Sequence, residues 1–108
     1  MSTATATVQA GICGFTTEVT ATSEDTQHVG FAVQSTCDRI SSLAANLPMV
    51  DAYAELGAGF EGELWQAIRS SLRGCCSGCA VSVALFKAMQ VAAEVALPQS
   101  VSMEFTRV

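Results

Sequence analysis

Three of the chain's five cysteines fall within Cys75-Cys76-Ser77-Gly78-Cys79, directly before the longest helical pattern in the sequence, Ala80 to Leu97. This junction constrains the fold more than any other stretch. Val81, Leu85, Met89, Ala92 and Ala96 recur at helical spacing and predict a helix with one buried stripe. Lys87, Gln90 and Glu94 interrupt its centre. A charge there costs a few kcal/mol in a bilayer, so the pattern reads as a core helix and not as a membrane span. Thiols at a helix start meet unsatisfied backbone N–H groups and the positive end of the macrodipole, which favours thiolate, the form that attacks electrophiles and binds metals.

The sequence before this junction has the period of strands. Thr5 to Ile12 places Val8, Ala10 and Ile12 on one face, and Phe15 to Thr22 places Phe15, Thr17, Val19 and Ala21 together. Cys13-Gly14 between them predicts a tight two-residue hairpin turn, with Cys13 at its tip. Ser23 to Thr26 forms a polar turn, and Val29, Phe31 and Val33 mark a third strand. Cap-type residues Ser35-Thr36-Cys37-Asp38 then open a helix carrying Ile40, Leu43, Ala44 and Leu47, which Pro48 ends. Met49 to Leu56 reads equally as a short helix or an extended connector. Glu63 to Leu72 is a helix with Leu64, Ala67, Ile68 and Leu72 inward, Gly74 its C-cap, and Ser77 the cap of the long helix. Pro98 stops the long helix, and Val101, Met103 and Phe105 alternate as a short C-terminal strand. The expected architecture is one α+β domain over residues 1–108: a three-stranded antiparallel meander plus that C-terminal strand, with about three helices packed on one face.

Charge and composition narrow the function. Ten acidic against five basic residues leave a net charge of −5, the wrong sign for a nucleic-acid or anionic-membrane surface. The opening residues Met1 to Thr5 carry neither a basic nor an apolar leader segment, which predicts a cytoplasmic location. In a reducing compartment, five cysteines indicate metal or redox chemistry instead of a disulfide framework. The apolar half of the composition is compatible with a homo-oligomer. There is no G-x-x-x-x-G-K-[ST], G-x-S-x-G or H-E-x-x-H, so nucleotide hydrolysis, serine hydrolysis and zinc peptidase chemistry lack a motif.

Soft thiolates select zinc, copper(I) or iron–sulfur clusters, and a tetrahedral site takes four ligands, or three and an open position. Cys76 and Cys79 form a C-x-x-C, while Cys75 and Cys79 stand one helical turn apart. Either pair suits one metal ion or a redox disulfide. The bland alternative is that cysteines fill space in a core of small residues. His28, the single histidine, reads as an exposed strand-end residue, and Glu24 and Asp25 as turn acids. Lys87 and Glu94 are expected to face solvent; core packing is the default expectation for Tyr53, Phe60 and Trp65, with a cover over the sheet or a subunit interface as the alternative.

The order Ala10-Gly11-Ile12-Cys13-Gly14, hairpin, Gly30-Phe31-Ala32-Val33, Cys37 at a helix start and a last cysteine before a long Ala-rich helix resembles the iron–sulfur scaffold family of IscU and the NifU N-terminal domain, within the SufE/NifU-like superfamily. The resemblance spans roughly residues 8 to 97. It implies that Cys13, Cys37 and one of Cys75, Cys76 or Cys79, with Cys76 preferred, occupy the family's cysteine positions. The family's Asp after the C-G turn is replaced by Phe15, and Asp38 beside Cys37 is the nearest substitute.

These readings yield three functions. The first is a small metal-binding scaffold or carrier holding an iron–sulfur cluster, or zinc, through Cys13, Cys37, Cys76 and Cys79, with Cys75 as a spare or relaying thiol and Asp38 as an accessory ligand. Its partners would be a sulfur donor or a cluster-accepting protein. The second is thiol redox or persulfide transfer, with Cys76 or Cys75 as nucleophile and Cys79 as resolving thiol. The third is a non-catalytic interaction domain with buried structural cysteines.

Overall fold

The computed structural model describes residues 1–108, except for the side chains of Cys75 and Cys76. Strands β1 (Ser2–Gln9), β2 (Thr16–Ser23) and β3 (His28–Ser35) precede helix α1 (Asp38–Ala45), and a two-residue strand β4 (Val50–Asp51) runs into helix α2 (Ala52–Ala58). Helices α3 (Glu63–Ser71) and α4 (Ala80–Ala92) follow, and short 3₁₀ turns occupy Gly11–Cys13, Gly59–Glu61 and Gly74–Gly78. The sheet is antiparallel throughout, in the order β1-β2-β3-β4. The protein is therefore α+β, as its mixed periodicity predicts.

One face of the sheet carries the core. Ala4 and Val8 of β1, Val19 and Ala21 of β2 and Val29 of β3 are buried, while Thr3, Thr5, Thr7 and Glu18 point to the opposite, exposed face. Helix α4 lies over β1 and β2, α1 over β3, and α3 packs against both helices. Their inward side chains are those the periodicity marks: Ile40 and Leu43 from α1, Leu64 and Ile68 from α3, Val81, Leu85 and Met89 from α4. Burying each such side chain contributes about 1.5–3 kcal/mol.

Several local expectations are corrected. Strand β1 occupies Ser2–Gln9 instead of Thr5–Ile12, so Ala10 and Ile12 do not continue the Val8 face and Ile12 is exposed. Gly11 and Gly14 take left-handed φ values of 77° and 74°, which turn the chain out of the ladder. The β1–β2 connection is consequently a six-residue turn over 10–15. The Ala10 N–H donates to the Phe15 carbonyl (3.0 Å), and Cys13 sits in the 3₁₀ turn between them.

The C-terminal strand does not form: Val101, Met103 and Phe105 are exposed and lie outside any helix or strand. The fourth strand comes instead from Val50–Asp51, on the opposite edge beside β3. Alternation marks a segment able to pair, but only an adjacent edge makes it a strand. The 49–56 stretch, ambiguous in sequence, divides into that strand and α2, because the Asp51 carboxylate accepts the N–H groups of Tyr53 (3.0 Å) and Ala54 (3.1 Å) and caps the helix. Helices thus number four instead of about three.

The long helix ends at Ala92, five residues before Leu97. Its terminal turn is a Schellman arrangement: Val95 N–H donates to the Gln90 carbonyl and Glu94 N–H to the Val91 carbonyl, both at 3.0 Å, with Glu94 at φ 60°. Cys79, not Ser77, is its N-cap residue, and Leu72, not Gly74, is the C-cap of α3. Helix α1 stops at Ala45 with Asn46 as C-cap, before Pro48 is reached.

Candidate functional site

The segments that carry Cys13 and Cys37 belong to one end of the sheet. Gln9 ends β1, Thr16 begins β2 and Ser35 ends β3 there, paired through Gln9↔Thr16 and Thr17↔Ser35. Thr16 and Thr36 lock this corner: the Thr36 N–H donates to the Thr16 carbonyl and the Thr16 N–H to the Thr36 hydroxyl, both at 3.2 Å. Cys13 lies three residues before Thr16, and Cys37 directly follows Thr36. Arg39, in the first turn of α1, donates through Nη1 to the carbonyl of Arg73. That contact holds the approach to the Gly74–Gly78 turn against the start of α1.

Cys37 is the N-cap residue of α1 in extended conformation (φ −91°, ψ 124°). Its N–H donates to Ser35 Oγ (3.1 Å), its carbonyl accepts from Ser41 N–H (3.0 Å), and its side chain makes no capping hydrogen bond. Ser35 Oγ is also 2.7 Å from Thr17 Oγ1, whose residue is buried, so the strand end fixes the backbone that carries the thiol. Asp38 follows in the first turn, where its charge complements the helix dipole. Cys79 stands at the N-cap of α4, its carbonyl accepting from the Ser82 hydroxyl (2.8 Å). Both thiols are half-buried and pack against the core, whereas Cys13 is exposed. All three are free thiols.

Among the described residues, no three His, Cys, Asp or Glu side chains are grouped to hold a metal ion. Cys13, Cys37, Asp38 and Cys79 therefore do not make a three-donor set by themselves. The side chains of Cys75 and Cys76, two further residues of the expected ligand set, lie outside the described residues.

His28 is at the opposite end of the sheet, paired with Asp51 in the β3–β4 ladder. Its Nδ1 is 2.7 Å from Asp25 Oδ2, and Asp25 Oδ1 accepts the N–H groups of Gln27 (3.0 Å) and His28 (2.8 Å). The hydrogen bond to Asp25 raises the histidine's pKa, and the same bond, with the two backbone donors, holds the Asp25 carboxyl far below the usual carboxylate range. Asp51 is lowered chiefly by the Gln27 side-chain amide, 2.8 Å from Oδ2. Both His28 and Asp25 are half-exposed, as an ordinary turn pair.

A residue absent from the sequence reading organises the helical layer. Glu55 is buried, and its carboxylate accepts the N–H groups of Glu63 (3.1 Å) and Leu64 (2.7 Å) at the start of α3. The sequence signal is faint: an acid eight residues before a helix N-terminus that lacks a capping side chain at Gly62. The aromatic side chains were expected in the core, but Phe60 and Tyr53 are mainly exposed. Phe60 meets Trp65 edge-on at 5.3 Å, Trp65 stacks on Phe86 at 6.2 Å, and the three line an apolar groove of about 290 Å³.

A family model described as a family of unknown function, DUF6951, matches residues 4–105. The chain belongs to the DUF6951 family. The DUF6951 match takes in β1 from Ala4 onward, every later element to α4, all five cysteines and most of the segment after α4. No curated protein and no solved structure matches the chain. Among the described residues, no helix is long and apolar enough to cross a membrane.

Proposed function

We propose that this DUF6951 chain is a thiol-based carrier, working in a reducing, cytoplasmic compartment, that holds an iron–sulfur cluster or a zinc ion at the Thr16–Thr36 end of the sheet. The observation that carries the reading is a pair of long-range contacts next to the cysteine-bearing segments: Thr16 with Thr36, between Cys13 and Cys37, and Arg39 with Arg73, ahead of the Gly74–Gly78 turn. Cys37 and Cys79, at two helix N-caps, offer thiols that no capping bond consumes. Because the described donors do not form a set of three, the reading assigns the remaining ligands to Cys75 or Cys76, with Cys13 closing from the β1–β2 turn. The order of cysteines in the IscU/NifU scaffolds, which the sequence resembles, supports the same assignment and a cluster-accepting or sulfur-donating protein as partner.

Anaerobic purification followed by iron, zinc and sulfide analysis of wild type and Cys37→Ser tests this. Stoichiometric metal that is lost in the variant is expected. Metal-free protein that takes up neither zinc nor a reconstituted cluster overturns it.

A second reading, thiol redox or persulfide transfer by the 75–79 group, is favoured by the three described thiols being unpaired and by Cys79 standing at the start of the thirteen-residue α4. In that case Cys13→Ser and Cys37→Ser leave reactivity intact, whereas Cys76→Ser or Cys79→Ser abolishes it.

A further inference from the structure

Strand β1 is an outer strand of the sheet, eight residues long, paired with β2 without interruption from Ser2↔Ser23 to Gln9↔Thr16. Natural outer strands are usually blunted by charged residues, proline, bulges or brevity, because an open row of N–H and C=O groups invites another strand. The sequence Ser-Thr-Ala-Thr-Ala-Thr-Val-Gln has none of these defences.

The segment after α4 has the complementary property. Val101, Met103 and Phe105 alternate with Ser102, Glu104 and Thr106, and all six are exposed; Phe105 is 90% exposed and Met103 65%. The segment lies outside any helix or strand, yet the family match runs through Phe105. It is part of the shared domain, with a strand's pattern but paired with no strand of its own chain.

We propose that residues 100–106 of a second copy of this chain add a fifth strand to the open edge of β1, reciprocally, giving a two-fold symmetric dimer. The alternations match. Beside β1, the Val101, Met103 and Phe105 row continues the face of Ala4, Ala6 and Val8, which α4 covers. Ser102, Glu104 and Thr106 then continue the solvent face of Thr3, Thr5 and Thr7. Size is also complementary, since β1 presents mostly small alanines on its covered face and the incoming strand brings Met and Phe. A one-residue slip would expose every large side chain of the added strand, so the pattern specifies the register. Because the same two copies exchange strands with each other about a two-fold axis, the interface closes and does not propagate into a filament.

Light scattering coupled to gel filtration tests the proposal on three proteins: the full chain, the chain ending at Pro98, and Phe105→Asp. The full chain is expected at twice its 11.2 kDa mass and both variants at the single-chain mass, with the helical far-UV circular dichroism retained. A synthetic peptide of residues 99–108 added to the shortened chain should shift the amide resonances of Thr3, Thr5 and Thr7. A monomeric full chain overturns the proposal. So does a shortened chain that remains dimeric, which would assign the contact to β1 against β1 or to the Phe60–Trp65–Phe86 groove.

Discussion

The Glu55 carboxylate occupies the space that a β-carbon on Gly62 would need. An ideal Cβ at Gly62 would lie 2.7 Å from Glu55 Oε1 and 2.9 Å from both Cδ and Oε2. The backbone at Gly62 (φ −71°, ψ 172°) suits any residue, so the glycine is required by space and not by conformation. In return Glu55 supplies from α2 the acceptors that a glycine N-cap cannot offer α3. Glu55→Ala should lower stability by about 1–3 kcal/mol, the usual cost of leaving buried donors without partners. Gly62→Ala should also destabilise, by displacing the same carboxylate. Once Glu55 is gone the added methyl meets little, so urea unfolding of the double variant should show a loss well short of the sum.

Stability should have a maximum in mildly acidic solution through Asp25 and His28. The carboxyl's pKa is depressed below its ordinary 3.8, so its contribution is present above that value and is lost as pH falls toward the folded-state pKa. The imidazole's is raised above 6.5, so its contribution is complete below that value and is lost as pH rises through the folded-state pKa. Both overlap between about pH 4 and 6.5. The pair is half-exposed and solvent-screened, so the amplitude is small. An NMR titration should place the His28 midpoint above 6.5 in wild type and lower in Asp25→Asn.

Glu94 holds a left-handed conformation that favours glycine, in the turn closing α4. Replacing it by glycine removes a steric cost of about 1 kcal/mol while keeping both Schellman hydrogen bonds. Glu94→Gly should therefore raise the thermal midpoint, and Glu94→Val, β-branched at the same φ, should lower it. Equal midpoints in all three would refute this account of the helix end.

Ser35 links the sheet to the Cys37 backbone. Ser35→Ala removes the acceptor of the Cys37 N–H and the partner of the buried Thr17 hydroxyl, and should cost about 1–3 kcal/mol. It should also loosen the start of α1, read as faster labelling of Cys37 by a maleimide relative to Cys79. Unchanged labelling would show that the thiol's position does not depend on this hydroxyl.

Local periodicity alone determined a large part of the fold. The buried faces of β2 and β3, the inward stripes of α3 and α4, and the placement of Cys37 and Cys79 at helix starts all follow from repeats of two and 3.6 residues and from short-range cap chemistry, which act between neighbours in sequence. Tertiary structure decided what depends on distant partners. Val50–Asp51 is a strand because β3 is beside it, whereas Val101 to Phe105 has the better pattern and pairs with no edge of its own chain. Glu55 reads in sequence as one more surface acid, and only the approach of α3 makes it a buried cap. The links beside the cysteine-bearing segments are likewise long-range, Thr16 with Thr36 and Arg39 with Arg73, twenty and thirty-four residues apart. Hydrogen bonds of that span have no periodicity to betray them, because they exist only after the chain has closed loops that its core burial stabilises.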